Sequence, residues 1–221
     1  MNSIWDMDAA IQSSHDLGKE AGVFAELKSA EMWQCPTLAV HRASANWGDP
    51  KFRADPRVKY IPRRLLAGLW KMENWSKEDL AWERRRFSKL LSLAGRMHAA
   101  GVHIVAGTDV YNPYTFPGFS LHDELELFVQ AGMTATDALA TATINPARFL
   151  GEEKARGAIK PGMVADLVLL DANPLQNIGN TKRINCVIQR GKLYNRPDLD
   201  LILKACERLA AKRVGKPKAK E

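Results

Sequence analysis

The sequence predicts a mixed α/β fold, and three features of the chain carry that prediction. The first is a helical pattern over residues 76–100, with apolar residues at helical spacing and Gly101 as its terminator. The second is the strand-like run 102–106, which follows that helix directly and leads into Asp109. The third is a change of character beyond residue 151, where short apolar strands replace helices.

Local signals place the remaining elements of the first 150 residues. Residues 7–32 are predicted to be helical with a break at Gly22, and residues 37–40 are predicted to form a short buried strand. Helices are expected at 121–131 and 134–144, the second capped by Thr134 with Asp137. Asn145 and Pro146 then fit the N-cap and first position of another short helix.

The C-terminal third reads as β-structure followed by a polar tail. Residues 165–170 form a continuous apolar run typical of a strand. Residues 184–189 and 192–194 flank Arg190-Gly191, a pair that predicts a hairpin turn.

A long connection over residues 42–75 interrupts the α/β pattern. It contains three prolines and three tryptophans, which makes it too long for an ordinary barrel loop and too aromatic for a plain linker. Long loops at the C-terminal ends of barrel strands commonly shape substrate pockets, so one interpretation is a specificity lid. The other interpretation is a segment that simply packs against neighbouring helices.

Asp109 is the first candidate for chemistry because it lies just past the end of a predicted strand. In α/β barrels the catalytic groups lie at the C-terminal ends of the strands. An isolated Asp at such a position is also a common turn residue or helix cap, so the surrounding sequence has to decide between the two roles.

The surrounding sequence resembles the amidohydrolase superfamily, in the branch of the imidazolonepropionases and Xaa-Pro dipeptidases. Five blocks carry the resemblance in the expected order: AGTD at 106–109, GFSLHDEL at 118–125, AGMT at 131–134, ATINPA at 142–147 and KPGMVADLVLLD at 160–171. A looser match, WQCPTL at 33–38, is similar to the seventh barrel strand of that superfamily.

The resemblance implies a partial TIM-like (β/α) barrel, formed by its last strands and helices and followed by the C-terminal strands of a small β-sandwich. On this basis residues 1–150 belong to the barrel, 151–200 to the sandwich, and 201–221 to a helix end and a basic, disordered tail. A complete α/β barrel usually needs about 250 residues. At 221 residues, with all matches in the C-terminal half of the superfamily, the chain is expected to be incomplete.

The resemblance also implies hydrolysis of a carbon–nitrogen bond by a water bound to a divalent metal, most often zinc. Asp109 would bind the metal and exchange a proton with that water. The other expected ligands are a His-x-His pair, a carboxylated Lys or Glu, and two further histidines. The sequence has no His-x-His, and its five histidines lie outside the matching strands. Because a catalytic site commonly needs three protein ligands, we expect the chain alone to be inactive.

Five further residues are candidate contacts for a small-molecule substrate. His122 lies in the SLHDEL block, Tyr111, Tyr114 and Phe116 lie in the loop after Asp109, and His41 ends the predicted strand 37–40. The alternative for His122 is packing at a helix start, and the alternative for His41 is a structural role. Glu124 has the same two interpretations as His122, and its alternative role is that of a carboxylate near the positive end of its helix.

Charge and cysteine content narrow the range of partners. The net charge of +7 is concentrated in residues 57–96 and in the tail, whose lysines have no interleaved aromatic residues, which argues against nucleic-acid binding. Three cysteines without a C-x-x-C pair indicate neither a disulfide framework nor a zinc site.

The sequence shows no signal peptide and no membrane span, which predicts a cytoplasmic protein, with an export signal on a longer parent left open. The expected partner is a complementing N-terminal chain or a second copy. The alternative function is a non-catalytic interaction protein that pairs through its open barrel edge.

Overall fold

The computed structural model describes residues 16–68, 70 and 75–212. Its α-helices are α1 (Leu17–Ser29), α2 (Leu38–Ala45), α3 (Pro50–Arg53), α4 (Arg63–Ala67), α5 (Lys77–Ala99), α6 (Ser120–Gln130), α7 (Ala135–Thr141), α8 (Ile144–Phe149) and α9 (Arg196–Ala211). Its strands are β1 (Trp33–Gln34), β2 (His103–Ile104), β3 (Leu167–Leu170), β4 (Ile184–Gln189) and β5 (Lys192–Tyr194), with 3-10 helices at Pro56–Tyr60 and Ile178–Lys182. The architecture is mixed α/β, as predicted.

Strands β1 and β2 form a short parallel pair. Trp33 pairs with His103 and Gln34 pairs with Ile104. On the other side of β2, the carbonyl of Ile104 accepts a hydrogen bond from the Asn145 side-chain amide at 2.9 Å. The carbonyl of Thr141 also accepts the backbone N–H of Ala106 at 2.9 Å, so the outer side of β2 is bonded by the chain itself.

This arrangement corrects the predicted role of Asn145. Thr143 occupies the N-cap position of α8, and Asn145 lies inside the helix. The local Asn-Pro pattern suggested a cap, but the Asn145 amide instead satisfies a strand carbonyl that local sequence cannot reveal.

The helix before β2 agrees closely with its prediction. Ser76 and Asp79 form a capping box at the start of α5, and Gly101 follows its end with φ of +80°. The strand itself is shorter than the predicted 102–106.

The prediction of a strand at 37–40 is wrong. The strand lies earlier, at Trp33–Gln34, and Leu38 begins α2 after Thr37, whose φ is 49°. The backbone N–H groups of Leu38 and Ala39 donate to the carboxylate of Glu124, at 2.8 and 2.7 Å. A short apolar run suits a buried strand or a buried helix equally, and this remote carboxylate stabilises the helix. His41 therefore lies in α2 and ends no strand.

One smaller prediction, the helix break at Gly22, is wrong. Helix α1 continues through Gly22 without a break. Gly22 is exposed, and no neighbouring atom lies within 4 Å of where its Cβ would be. Residues 7–15 of the predicted helix and residues 213–221 of the predicted disordered tail lie outside the described residues. Helix α9 ends at Ala211, within the segment 201–221.

The interior contains two separate hydrophobic clusters. The main core lies around β1, β2 and helices α1, α2, α5, α6 and α7, with Leu38, Ala94 and Phe128 fully buried. The second cluster, called the aromatic cluster below, contains Ala43, Trp47, Ile61, Trp70, Tyr114 and Phe116. It joins the described residues of the connection 42–75 to the loop after Asp109. These described residues form short packed helices, called the packed wall below.

The C-terminal strands form an antiparallel sheet in the order β3-β4-β5. Arg190 and Gly191 have φ of 51° and 75°, which confirms the predicted hairpin turn. Helix α9 returns from this sheet to the Pro56–Tyr60 turn, where Glu207 pairs with Lys59 at 3.2 Å. None of the described helices is long and apolar enough to cross a membrane.

Candidate functional site

Asp109 lies at the edge where both parallel strands end. The segments after β1 and β2 lead to the same edge, because parallel strands have their carboxyl ends together. Asp109 is exposed there and has φ of 51°, a left-handed conformation that Asp tolerates better than most residues. Its carbonyl accepts a hydrogen bond from the Asn112 side-chain amide at 3.1 Å and lies 3.1 Å from the Thr115 hydroxyl, which also donates to the Asn112 carbonyl at 2.6 Å. These contacts hold the backbone of Asp109, and the residue itself is exposed.

Cys35 is a neighbour of Asp109 to which sequence reasoning gave no role. The two segments approach closely, since a Cβ at Gly107 would lie 2.3 Å from the Cys35 sulfur. Burial of the sulfur raises the pKa of the Cys35 thiol, and the negative charges of Glu124 and Asp109 raise it further. Cys35 is therefore a neutral thiol at this edge. Its position directly after β1 was the available signal.

The loop after Asp109 holds an unusual backbone. Tyr111 and Tyr114 have φ of 80° and 61°, which places two large side chains in the left-handed region. The indole N–H of Trp70 donates to the carbonyl of Tyr111 at 2.9 Å and helps to hold this conformation. Such strain persists only where surrounding contacts fix it, and it often accompanies functional loops.

The three aromatic candidates of this loop fall into two groups. Tyr111 is 64% exposed, whereas Tyr114 and Phe116 are 8% and 1% exposed inside the aromatic cluster. The rings of Tyr114 and Phe116 both lie 5.5 Å from that of Trp70. Burial also raises the pKa of the Tyr114 phenol. Tyr114 and Phe116 thus pack the loop against the packed wall. Of the three residues, only Tyr111 is exposed to solvent.

The two histidine candidates lie on different helices. His122 is half-buried in the first turn of α6, and its Nδ1 has no hydrogen-bond partner among the described residues. Burial and the nearby Lys182 lower the pKa of His122, against the opposing effect of Asp123. His41 is half-buried in α2. The proposed substrate contacts of both residues stay predictions.

Glu124 is the buried cap of α2. It is fully buried, and its two carboxylate oxygens accept the N–H groups of Leu38 and Ala39. Burial raises the pKa of Glu124 to about 7, although these two hydrogen bonds and Arg42 favour the ionised form. The helix-start role weighed for this residue concerned its own helix, whereas the helix that it caps is a distant one.

Asp123 is the centre of an ion-pair cluster that the sequence did not reveal. It is 2% exposed and pairs with Arg42 at 2.9 Å, Arg57 at 2.6 Å and Lys182 at 2.9 Å. These three cations come from α2, from the packed wall and from the segment before β4. Burial opposes ionisation, yet these neighbours hold the pKa of the Asp123 carboxyl below its usual value.

The described residues do not form a metal site by themselves. Within residues 16–68, 70 and 75–212, no three His, Cys, Asp or Glu side chains lie together in a way that could hold a metal ion. Asp109 is one acidic residue at the strand edge, and a catalytic metal commonly needs three protein ligands.

Comparisons with known proteins identify the family of the chain. The sequence profile of the amidohydrolase family matches residues 56–192. Ochratoxinase of Aspergillus niger is 30% identical over 201 residues, covering 86% of this chain and 39% of the fungal protein. Imidazolonepropionase of Geobacillus kaustophilus is 36% identical over 104 residues, covering 45% of this chain and 24% of that protein.

Solved structures show a related fold. Bottromycin amidohydrolase is 21% identical, with a TM-score of 0.65 over 89% of this chain and 46% of its own. A Xaa-Pro dipeptidase with bound methionine is 23% identical, with a TM-score of 0.59 over 81% of this chain and 37% of its own. The chain spans about two fifths of the length of the Aspergillus niger ochratoxinase. By its sequence and its fold, the chain belongs to the amidohydrolase family.

Proposed function

We propose that this chain is the C-terminal portion of a metal-dependent hydrolase that cleaves a carbon–nitrogen bond in an amide, cyclic amide or peptide-like substrate. The single observation that carries the proposal is the exposed carboxylate of Asp109 at the carboxyl edge of two parallel strands. Membership of the amidohydrolase family supports the reaction class. The names of its relatives, an ochratoxinase, an imidazolonepropionase and a Xaa-Pro dipeptidase, support the substrate class.

Asp109 would serve as the proton acceptor and donor of the reaction. A carboxylate at this edge can take a proton from an attacking water and return it to the leaving nitrogen. A divalent metal, in the first instance zinc, would supply polarisation of that water in the complete enzyme. Asp109 is the one residue that we assign as a ligand. Because the described residues form no complete metal site, we expect the chain alone to bind no catalytic metal and to hydrolyse nothing.

Substrate contacts would come from the same edge. Tyr111 fits this role best because its ring is exposed beside Asp109, while His122 and His41 are weaker candidates on the adjoining helices. Tyr114 and Phe116 would act through the packing of the wall.

The proposal is tested by supplying the missing barrel strands in trans as a separate polypeptide. Activity is assayed on acyl amino acids, dipeptides and cyclic amides with zinc or manganese present. We expect activity in the mixture and none in the chain alone. Asp109→Asn should then reduce kcat by at least about 100-fold, the range typical of general acid–base catalysis.

The matched control is Asp200→Asn, which removes an exposed carboxylate that pairs with Arg196 on α9. It should keep wild-type activity. An Asp109→Asn variant that retains more than about a tenth of the rate would contradict the proton-transfer role. Tightly bound stoichiometric zinc in the chain alone would contradict its expected incompleteness.

A non-catalytic interaction protein is the second candidate. The observation that favours it is the two-stranded sheet, in which β1 pairs only with β2 among the described strands. An interaction protein would capture a partner strand at β1 and show no turnover after completion. Sustained activity of the completed barrel therefore separates the two functions.

A further inference from the structure

We propose that Asp123 and Arg57 are positioning residues that hold the loop carrying Asp109. Asp123 lies between His122 and Glu124 at the start of α6, and Arg57 lies in the packed wall, at the 3-10 turn Pro56–Tyr60. Asp123 is buried and Arg57 is half-buried, whereas Asp109 is exposed. They would influence the position of Asp109 through other side chains. The inference rests on the proposed function only where it assigns importance to the position of Asp109.

The guanidinium of Arg57 is fixed on three sides. Its Nη1 donates to the Asp123 carboxylate at 2.6 Å. Its Nε and Nη2 donate to the Asp55 carboxylate at 3.0 and 2.7 Å. Its flat face lies over the ring of Phe116, with 4.5 Å between the guanidinium carbon and the ring centroid. Arg suits this position because a planar group can bind carboxylates in its plane and an aromatic ring on its face.

Phe116 transmits this restraint to the loop. It is 1% exposed, and its backbone N–H donates to the Ser120 hydroxyl at 2.7 Å. The residue before it, Thr115, donates its hydroxyl to the carbonyl of Asn112 at 2.6 Å, and the same hydroxyl lies 3.1 Å from the carbonyl of Asp109. A chain of contacts therefore runs from Asp123 through Arg57 and Phe116 to the backbone of Asp109. Because the Asp109 backbone has φ of 51°, it depends on such external contacts to keep its conformation.

Asp123 is the fixed end of this chain of contacts. It is buried and held by Arg42 from α2 and by Lys182 from the segment before β4, in addition to Arg57. Burial of the guanidinium alone would lower the pKa of Arg57, but its bonds to Asp55 and Asp123 raise it, so the pair stays charged. Cations from three separate parts of the chain thus bind the Asp123 carboxylate. Through Arg57, this carboxylate holds the packed wall beside the Asp109 loop.

Hydrogen–deuterium exchange of the full chain tests the proposal without requiring turnover, so a chain with no hydrolase activity still gives a result. Arg57→Met removes the charge and the planar group while keeping a similar length. We expect amide exchange in peptides covering 50–67 and 109–119 to become at least about tenfold faster, since local openings depend on such contacts. Peptides from α5 and from β4 should exchange as in the wild type.

Arg57→Lys keeps the charge towards Asp123 and should recover part of the protection that Arg57→Met loses in peptides covering 50–67. The peptides covering 109–119 should stay as fast as in Arg57→Met, because Lys cannot stack on Phe116 as Arg does. The matched control is Arg156→Met, which breaks an exposed pair with Glu152 at 2.9 Å and should change neither segment.

Asp123→Asn tests the other end of the contact chain and should loosen the same two segments. This variant leaves Arg42 and Lys182 facing a neutral amide and can unfold the chain as a whole, so the Arg57 variants decide the result. Unchanged exchange at 109–119 in Arg57→Met would overturn the proposal. An equal rise over all peptides, with no recovery in Arg57→Lys, would overturn it as well.

Discussion

The two strand regions of the molecule differ in the burial of their apolar side chains. Strands β1 and β2 are covered by helices, whereas the antiparallel sheet β3-β4-β5 exposes several apolar side chains. Ile104 of β2 is 3% exposed, and helices on both sides of the chain bury it. In the antiparallel sheet, Val168, Leu169 and Leu193 are each more than half exposed. Leu169 and Leu193 project from one face and Val168 from the other, because side chains alternate along a strand.

The difference follows from which elements the chain supplies. Helices α5, α6 and α7 flank β2 in sequence and cover it with their apolar faces. The outer backbone of β2 is also bonded, by Asn145 and Thr141. Helix α9 contacts β4 and β5 of the sheet. Leu169 and Leu193 on one face and Val168 on the other stay exposed to solvent. The comparison indicates that the first region can be stable within this chain, whereas the second presents a surface suited to further contacts.

The largest expected effect comes from removing core volume in the helix-covered region. Phe128 is fully buried in α6, so Phe128→Ala should lower the free energy of unfolding by about 3–5 kcal/mol. The matched change in the sheet, Leu193→Ala, should lower it by less than about 0.5 kcal/mol because that side chain is exposed. Urea unfolding followed by circular dichroism measures both. Equal effects would show that the two regions share one core.

A smaller effect concerns Glu124, which gives the helix-covered region a pH dependence that the sheet lacks. Burial raises the pKa of Glu124 to about 7 in the folded chain, above its ordinary 4.5. The folded state then binds the proton more tightly, so this group's contribution to stability is present at low pH. That contribution falls as pH rises from about 4.5 to 7, by up to about 3 kcal/mol.

The measurement is the difference in unfolding free energy between wild type and Glu124→Gln at pH 5 and at pH 8. We expect the wild type to lose stability relative to the variant as pH rises, because Gln does not titrate. Exchange of the sheet amides, measured in parallel, should not follow this change. A difference that is independent of pH would mean that the Leu38 and Ala39 N–H groups keep Glu124 ionised throughout.

The smallest effect concerns self-association of the sheet. We expect the isolated chain to associate through its exposed apolar face, and Leu169→Lys with Leu193→Lys should place two charges on that face. Sedimentation velocity should show a dissociation constant raised by about tenfold, which corresponds to about 1.4 kcal/mol. Val23→Lys on α1 is the control, because it changes an equally exposed apolar residue elsewhere. If the control has the same effect, net charge governs association and the sheet does not.

Much of the secondary structure was predictable because its signals are local. The capping box of Ser76 and Asp79 and the terminator Gly101 predicted α5, and Arg190-Gly191 predicted the hairpin of β4 and β5. The position of Asp109 after a strand also followed from a pattern of only a few residues. In each case the hydrogen bonds that fix the element join residues close in sequence.

The errors and omissions share a different origin. The run 37–40 became a helix because Glu124, more than 80 residues away, accepts its first N–H groups. Tyr114 and Phe116 look like pocket residues in sequence, and only the packed wall shows that they are buried. The ion pairs of Asp123 join α2, the wall and the segment before β4, which no spacing pattern connects.

The sequence by itself therefore determined the mixed α/β class, the family resemblance and the place of the candidate carboxylate Asp109. Tertiary structure alone decided which residues hold the backbone of Asp109 and which apolar faces are covered by other elements. The physical reason is the range of the interactions involved. Caps, turns and apolar periods act within a few residues, whereas burial and the pairing of buried charges depend on partners that only the folded chain brings together.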